Sequence, residues 1–155
     1  MDWAVFLVYL LACFGAGATG GLFPPDEWYR RLDKPGFTPP DWVFPLTWTY
    51  LYVASAWAAA RVSGLPGAEL ALALWAAQVA FNALWTPVFF GLKRIGLGLV
   101  VVGALWILVA ACLWRFAALD PWTVIAFGPY LLWVTIAFAL NASIWRRNPD
   151  EPARA

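Results

Sequence analysis

The chain has 155 residues, of which 63% are hydrophobic and only 12% charged, with a mean hydropathy of +0.70. A soluble domain carries about 25% charged residues, so these figures exclude an ordinary water-soluble globule, and a net charge of +1 gives no case for nucleic acid as a partner. Histidine is absent, which removes the commonest general base, the commonest transition-metal ligand and the usual haem ligand; no metal site and no required cofactor are expected.

Taken in chain order, five apolar stretches are each near the roughly 20 residues that a bilayer core demands of a helix. Lipid cannot satisfy an exposed backbone N–H or C=O, and the stretches lack the alternation of a barrel strand, so helices are the element expected. The first span covers 3–23. Ala16-Gly17-Ala18 resembles a cleavage site, but Asp2 stands where a signal peptide has a basic start, and the apolar run continues to Phe23. Gly17 and Gly21 are spaced small-xxx-small, which suits close packing of another helix within the bundle.

A connection follows at 24–42. It holds five prolines (Pro24, Pro25, Pro35, Pro39, Pro40), four large aromatics (Trp28, Tyr29, Phe37, Trp42) and seven charges. Disordered linkers are poor in aromatics, so this segment reads as an ordered lid, with a short helix expected over 25–32, proline at its first turn and acids near its start. The second span is 43–61, the third 69–90, the fourth 95–116 and the fifth 122–145, joined by short turns; the polar tail 146–155 is expected to fray. Cys13 and Cys112 both fall inside the hydrocarbon and read as small packing residues. The fold class expected is an all-α membrane protein, a single bundle of five transmembrane helices with a long, partly helical loop between the first two.

Five spans put the termini on opposite sides. The side with the long loop then carries Arg30, Arg31, Lys34, Lys93, Arg94, Arg146, Arg147 and Arg154, eight basic residues against two, Arg61 and Arg115, on the other. The positive-inside rule places the long loop and the C-terminus in the cytoplasm.

Twelve tryptophans exceed what an interfacial belt needs. Trp3, Trp28, Trp42, Trp114, Trp122 and Trp145 lie near span ends, where amphipathic rings favour the headgroup level; Trp48, Trp57, Trp75, Trp85, Trp106 and Trp133 lie deeper. At about 100° per residue, Trp75, Gln78, Asn82, Trp85, Thr86 and Phe89 share a face of the third span. Trp48, Tyr52, Ser55 and Ala59 share one on the second, and Tyr130, Trp133, Ala137 and Asn141 one on the fifth. An unpaired amide in hydrocarbon costs several kcal/mol, so Gln78, Asn82 and Asn141 face the bundle interior. There they serve either as interhelical hydrogen bonds or as the few polar contacts of an aromatic ligand pocket. Pro87 and Pro129 interrupt the helical ladder beside these faces, and Thr86 is placed to rescue a freed carbonyl. No carboxylate dyad, nucleophile–base pair or phosphate-cradling loop accompanies them, and no ionisable group lies deep enough to relay protons or ions.

Trp28-Tyr29, Leu32-Asp33-Lys34-Pro35, Pro39-Pro40, Trp42, Phe44-Pro45, Trp48 and Leu51-Tyr52 resemble the first loop and second helix of the TspO family, also known as tryptophan-rich sensory or translocator proteins or peripheral-type benzodiazepine receptors. Gln78, Asn82, Trp85, Pro87 and Phe89-Phe90-Gly91 resemble its third helix, and Pro129-Tyr130, Trp133, Ala137 and Leu140-Asn141 its fifth. The resemblance implies a five-helix bundle, often a homodimer, that binds porphyrins such as protoporphyrin IX in a pocket beneath the first loop. It carries the pocket onto Trp48, Gln78, Asn82, Trp85, Trp133 and Ala137. Tyr52, Phe89, Tyr130 and Asn141 join them from the helix faces, and Trp28, Tyr29, Phe37, Pro39, Pro40 and Trp42 form the lid. Light-dependent porphyrin breakdown has been proposed for bacterial members; Trp48 and Trp133 are its candidates here, and transport of tetrapyrroles or sterols is a further alternative. Two departures stand out. Phe37 occupies a position where many members have tryptophan, and 141–146 lacks the tyrosine of a cholesterol motif, which disfavours cholesterol.

Overall fold

The computed structural model describes residues 1–151; Arg154 lies outside the described residues. Five long helices and one short one are present, and no strand occurs among the described residues. Helix α1 is Trp3–Leu22, α2 is the short Glu27–Arg31, α3 is Val43–Val62 and α4 is Glu69–Thr86. A π-helical turn, Pro87–Gly91, extends α4; α5 is Ile95–Leu119, and a 3-10 turn, Pro121–Thr123, leads into α6, Val124–Arg147.

Local chemistry sets these bounds. Asp2 accepts from Ala4 N–H at 2.8 Å and caps α1. Asp26 caps α2 by accepting from Tyr29 N–H at 3.1 Å, so the short helix starts after the prolines, later than the expected 25–32. Its C-terminal carbonyls are capped from outside: Lys34 Nζ donates to the oxygens of Tyr29, Arg30 and Leu32 at 2.8, 3.2 and 3.0 Å. Pro87 has no N–H to give, and the ladder widens to a π turn that closes with Leu92 N–H on Pro87 O at 2.8 Å. Helix α6 runs unbroken through Pro129. That proline also leaves Ile125 O without its helical donor, and the Tyr50 hydroxyl of α3 donates to it at 3.3 Å. Thr86, expected to perform such a rescue at Pro87, makes no side-chain hydrogen bond among the described residues and faces a cavity instead. The last helix persists to Arg147, beyond the expected onset of fraying, because Asn148 Nδ2 donates to Ile144 O at 2.8 Å.

The long helices close into a ring: α1 packs on α3, α3 on α6, α6 on α5, α5 on α4, and α4 back on α1. Fully enclosed apolar side chains include Val109, Phe116, Phe127 and Val134 of α5 and α6, and Ala56, Ala59 and Val62 of α3. Four helices are long and apolar enough to cross a bilayer by length and composition: α1, α4 with its π turn, α5, and α6 with its 3-10 turn. Helix α3 has 20 residues, the length of α1, but tryptophan, tyrosine, threonine and serine lower its hydropathy. Outward faces carry Leu7, Val8, Leu11, Val100, Ile107 and Leu132 to the lipid. The terminal tryptophans Trp3, Trp42, Trp114 and Trp122 are all exposed, whereas Trp28 is buried.

Candidate functional site

The two ends of the ring differ. At one end Arg61 of α3 bridges Asp120 at the α5–α6 connection, and that cation holds the Asp120 carboxyl below its ordinary value. At the other end the segment 24–42 folds over the helices. Trp28 is buried against Phe89 and its Nε1 donates to Glu151 at 3.1 Å. Asp33 and Asn148 exchange two hydrogen bonds, Asp33 N–H to Asn148 Oδ1 and Asn148 Nδ2 to Asp33 O, both 3.0 Å. Arg147 reaches the Asp33 carboxylate at 3.3 Å, and Lys93, held at φ +56° in the α4–α5 turn, reaches Asp26 at 2.8 Å. The hydrogen bond from Lys93 holds the Asp26 carboxyl below its ordinary value.

Beneath this cover lies a cavity of about 790 Å³. Helix α1 gives it Phe14, Gly17, Ala18, Gly20 and Gly21; α3 gives Phe44, Pro45, Trp48, Thr49 and Tyr52; α4 and its π turn give Asn82, Trp85, Thr86, Phe89 and Phe90. Val102 and Leu105 of α5, and Val134, Ala137, Leu140, Asn141 and Ile144 of α6, close the wall, with Phe23, Pro25, Tyr29 and Asp41 from the connection at its mouth. The aromatics are held in two sets of ring contacts, one around Trp48 and Tyr52 and one around Trp85 and Phe89. Trp48 stacks on Tyr52 with centroids 5.6 Å apart, Trp85 stacks on Phe89 at 5.4 Å, and Tyr29 meets Phe90 edge-on at 5.1 Å. Burial, and after it the charge of Asp41, pushes the Tyr29 phenol above its ordinary value.

Two polar clusters fix this wall. In the first, Tyr52 hydroxyl donates to Asn82 Oδ1 at 3.1 Å and Asn82 Nδ2 donates to the Tyr130 hydroxyl at 2.8 Å. Tyr130 donates on to Gln78 Oε1 at 2.8 Å, and Trp75 Nε1 donates to Ser55 at 2.8 Å beside it. In the second, Asn141 accepts from Trp85 Nε1 at 3.2 Å and donates to Ile95 O at 3.0 Å, tying α6 to the indole of α4 and to the first turn of α5. The buried amides are thus satisfied, and each cluster joins three helices.

Of the residues expected in the pocket, Trp48, Tyr52, Asn82, Trp85, Phe89, Ala137 and Asn141 border the cavity, while Gln78, Tyr130 and Trp133 do not. Gln78 and Tyr130 sit behind the wall and orient Asn82. Trp133 packs behind Trp48 with centroids 6.5 Å apart, and its Nε1 is buried without a partner. Of the residues expected in the lid, Tyr29 reaches the cavity and Trp28 anchors the cover; Phe37 and Trp42 are exposed, and Pro39 and Pro40 do not border the cavity. The α1 glycines, Thr49, Phe90, Val102 and Leu105 escaped the sequence reading. Apolar and small residues that face a void inside a membrane follow the same period as those that face lipid, so signal came only from Gly17 and Gly21, read as a packing pair, from Thr86, and from Phe90 through the resemblance.

A helical ring around an aromatic chamber, closed at one end by a latched polar cover, defines an all-helical membrane protein with a cavity between its helices. The TspO/MBR family model matches residues 7–146, and the chain belongs to that family. It is 53% identical to the tryptophan-rich sensory protein of Cereibacter sphaeroides across 100% of this chain and 99% of that protein. It is 48% identical to protein CrtK of Rhodobacter capsulatus over 97% of both, and 33% identical to the human translocator protein over 89% of this chain and 84% of the relative.

Proposed function

We propose that this protein is a membrane sensor or carrier that binds a flat, largely apolar tetrapyrrole of the protoporphyrin kind in the chamber beneath the 24–42 segment. The observation that carries the reading is the chamber itself. Its volume, about 790 Å³, falls within the roughly 300–1,000 Å³ of pockets that bury drug-sized ligands. Its walls present aromatic faces with few polar groups, the pattern a planar macrocycle requires. The function acts in a five-span bundle, with α3 as the fifth crossing helix despite its lower hydropathy, and in a homodimer.

Titration of the purified protein with protoporphyrin IX in detergent, in the dark, is expected to quench tryptophan fluorescence to saturation. Trp85→Ala removes a stacking face and should weaken binding roughly three- to tenfold, while Trp106→Phe, on the lipid side, leaves affinity unchanged. Quenching that rises without saturation would defeat the reading. The edge contacts of Trp48 with Trp133 and Tyr130 favour a second reading, light-driven oxidation of the bound macrocycle. It predicts loss of porphyrin absorbance under light and oxygen that Trp48→Phe slows more than it weakens dark binding.

A further inference from the structure

The mouth of the chamber carries one formal charge. Among the described residues that border it, Asp41 alone has a charged side chain. It is exposed and has no hydrogen-bond or ion-pair partner among the described residues. The cations of this end are committed elsewhere: Lys93 to Asp26 at 2.8 Å, Arg147 to Asp33 at 3.3 Å and Arg30 to Glu27 at 3.3 Å. Lys34 lies 4.8 Å from the centroid of the Tyr29 ring. An ammonium has three donors, and those of Lys34 go to the oxygens of Tyr29, Arg30 and Leu32. Arg31, Arg94 and Arg146 do not border the chamber. The positive end of the α3 dipole is the feature at the rim that favours an anion, and Asp41, two residues before that helix, offsets it from within the chain.

We infer that Asp41 determines specificity at the chamber mouth, favouring planar ligands whose outward edge is uncharged or cationic over ligands that place carboxylates there. The inference rests on the tetrapyrrole reading for its ligand class, and for that class it selects macrocycles with esterified or amidated side arms over free dicarboxylates. Asp41 is open to solvent, and repulsion between unit charges about 4 Å apart in bulk water is equivalent to about fivefold in affinity and falls as salt screens it.

The test compares protoporphyrin IX with its dimethyl ester in non-ionic detergent, on wild type, Asp41→Asn and Asp41→Lys. Wild type should prefer the diester. Asp41→Asn should raise dicarboxylate affinity about fivefold at low salt and leave the diester within twofold, Asp41→Lys should go further, and high salt should shrink both gains. Equal shifts for the two porphyrins, or no shift in either, would overturn the assignment. Both variants should stay close to the wild-type melting temperature, Asp41→Lys slightly the lower, since the carboxylate makes no hydrogen bond or ion pair among the described residues and meets the α3 dipole. If neither porphyrin binds to saturation, the tetrapyrrole reading falls by itself. The charge rule is then decided with acridine orange, a planar cation, against anilinonaphthalene sulfonate, an anion. A cation-to-anion affinity ratio that drops in Asp41→Asn sustains the rule, and an unchanged ratio or no binding of either dye ends it.

Discussion

A β-carbon on Gly17 would stand 2.5 Å from Cε2 of Tyr52, closer than real contacts allow. The Tyr52 ring has little freedom to retreat, being stacked on Trp48 and hydrogen-bonded to Asn82. Gly17→Ala is therefore expected to push the ring off Asn82 and cost about 1–3 kcal/mol, the usual range for overpacking. Gly15→Ala, with nothing within 4 Å and no place on the chamber wall, should be neutral. Melting temperatures of the two variants in detergent check this, and porphyrin affinity should fall in the first alone. At this scale much of the polar skeleton was legible in advance. An amide in hydrocarbon must find a partner, and the 3.6-residue period brought Gln78, Asn82 and Asn141 to the interior. Two details escaped. Periodicity gives a direction but not a depth, so it could not separate Asn82, on the chamber wall, from Gln78 one turn behind it. Nor does a lone carboxylate in a loop, such as Asp41, announce which surface it faces.

Among the elements, the cover is seated by a small apolar anchor, Trp28 and Leu32 against Phe89, Ile95, Leu140 and Ile144, and latched around it by polar contacts. Asp33, Asn148 and Arg147 join it to the end of α6, and Asp26 and Lys93 join it to the α4–α5 turn. Exposed ion pairs contribute little stability each, so the latch should govern the rate of ligand exchange more than the melting of the bundle. Asp33→Ala combined with Asn148→Ala is expected to raise the porphyrin dissociation rate severalfold in stopped-flow fluorescence and to leave the melting temperature nearly unchanged. Arg30→Ala, which removes only a surface pair within α2, should do neither. The sign of the acid response follows from Asp26, whose carboxyl is lowered from its ordinary 3.8 by Lys93. Its contribution is complete above that value and is lost as pH falls through the lowered one, so dissociation should accelerate only below about pH 3.8. Asp26→Asn keeps the helix cap, deletes the charge and should be fast already at neutral pH. The existence of the five long helices was readable from uncharged runs, and several ends are set by local caps such as Asp2, Asp26 and Lys34. Tyr50 at Ile125, 75 residues away, is a bond that no local pattern encodes.

For the whole molecule, the ring topology gathers the 24–42 segment, the α4–α5 turn and the C-terminal end of α6 at one end, as the contacts of Asp33 with Arg147 and of Asp26 with Lys93 require. Arg30, Arg31, Lys34, Lys93, Arg94, Arg146 and Arg147 stand at that end, seven of the described basic residues, against Arg61 and Arg115 at the other. Basic residues near span ends resist translocation in an energised membrane while acidic ones matter little, so the chamber mouth is expected to open to the cytoplasm. The natural thiols offer a clean background for testing this, because Cys13 and Cys112 are both buried. Phe37→Cys places a thiol on the exposed cover and Ser63→Cys places one at the opposite end, after α3. In intact cells a membrane-impermeant maleimide should label the second and spare the first, and in inverted vesicles the pattern should reverse. Labelling of both from one side would break the five-span arrangement itself. Labelling of Phe37→Cys in intact cells and of Ser63→Cys only in inverted vesicles would keep the five spans and turn the chamber to face outward.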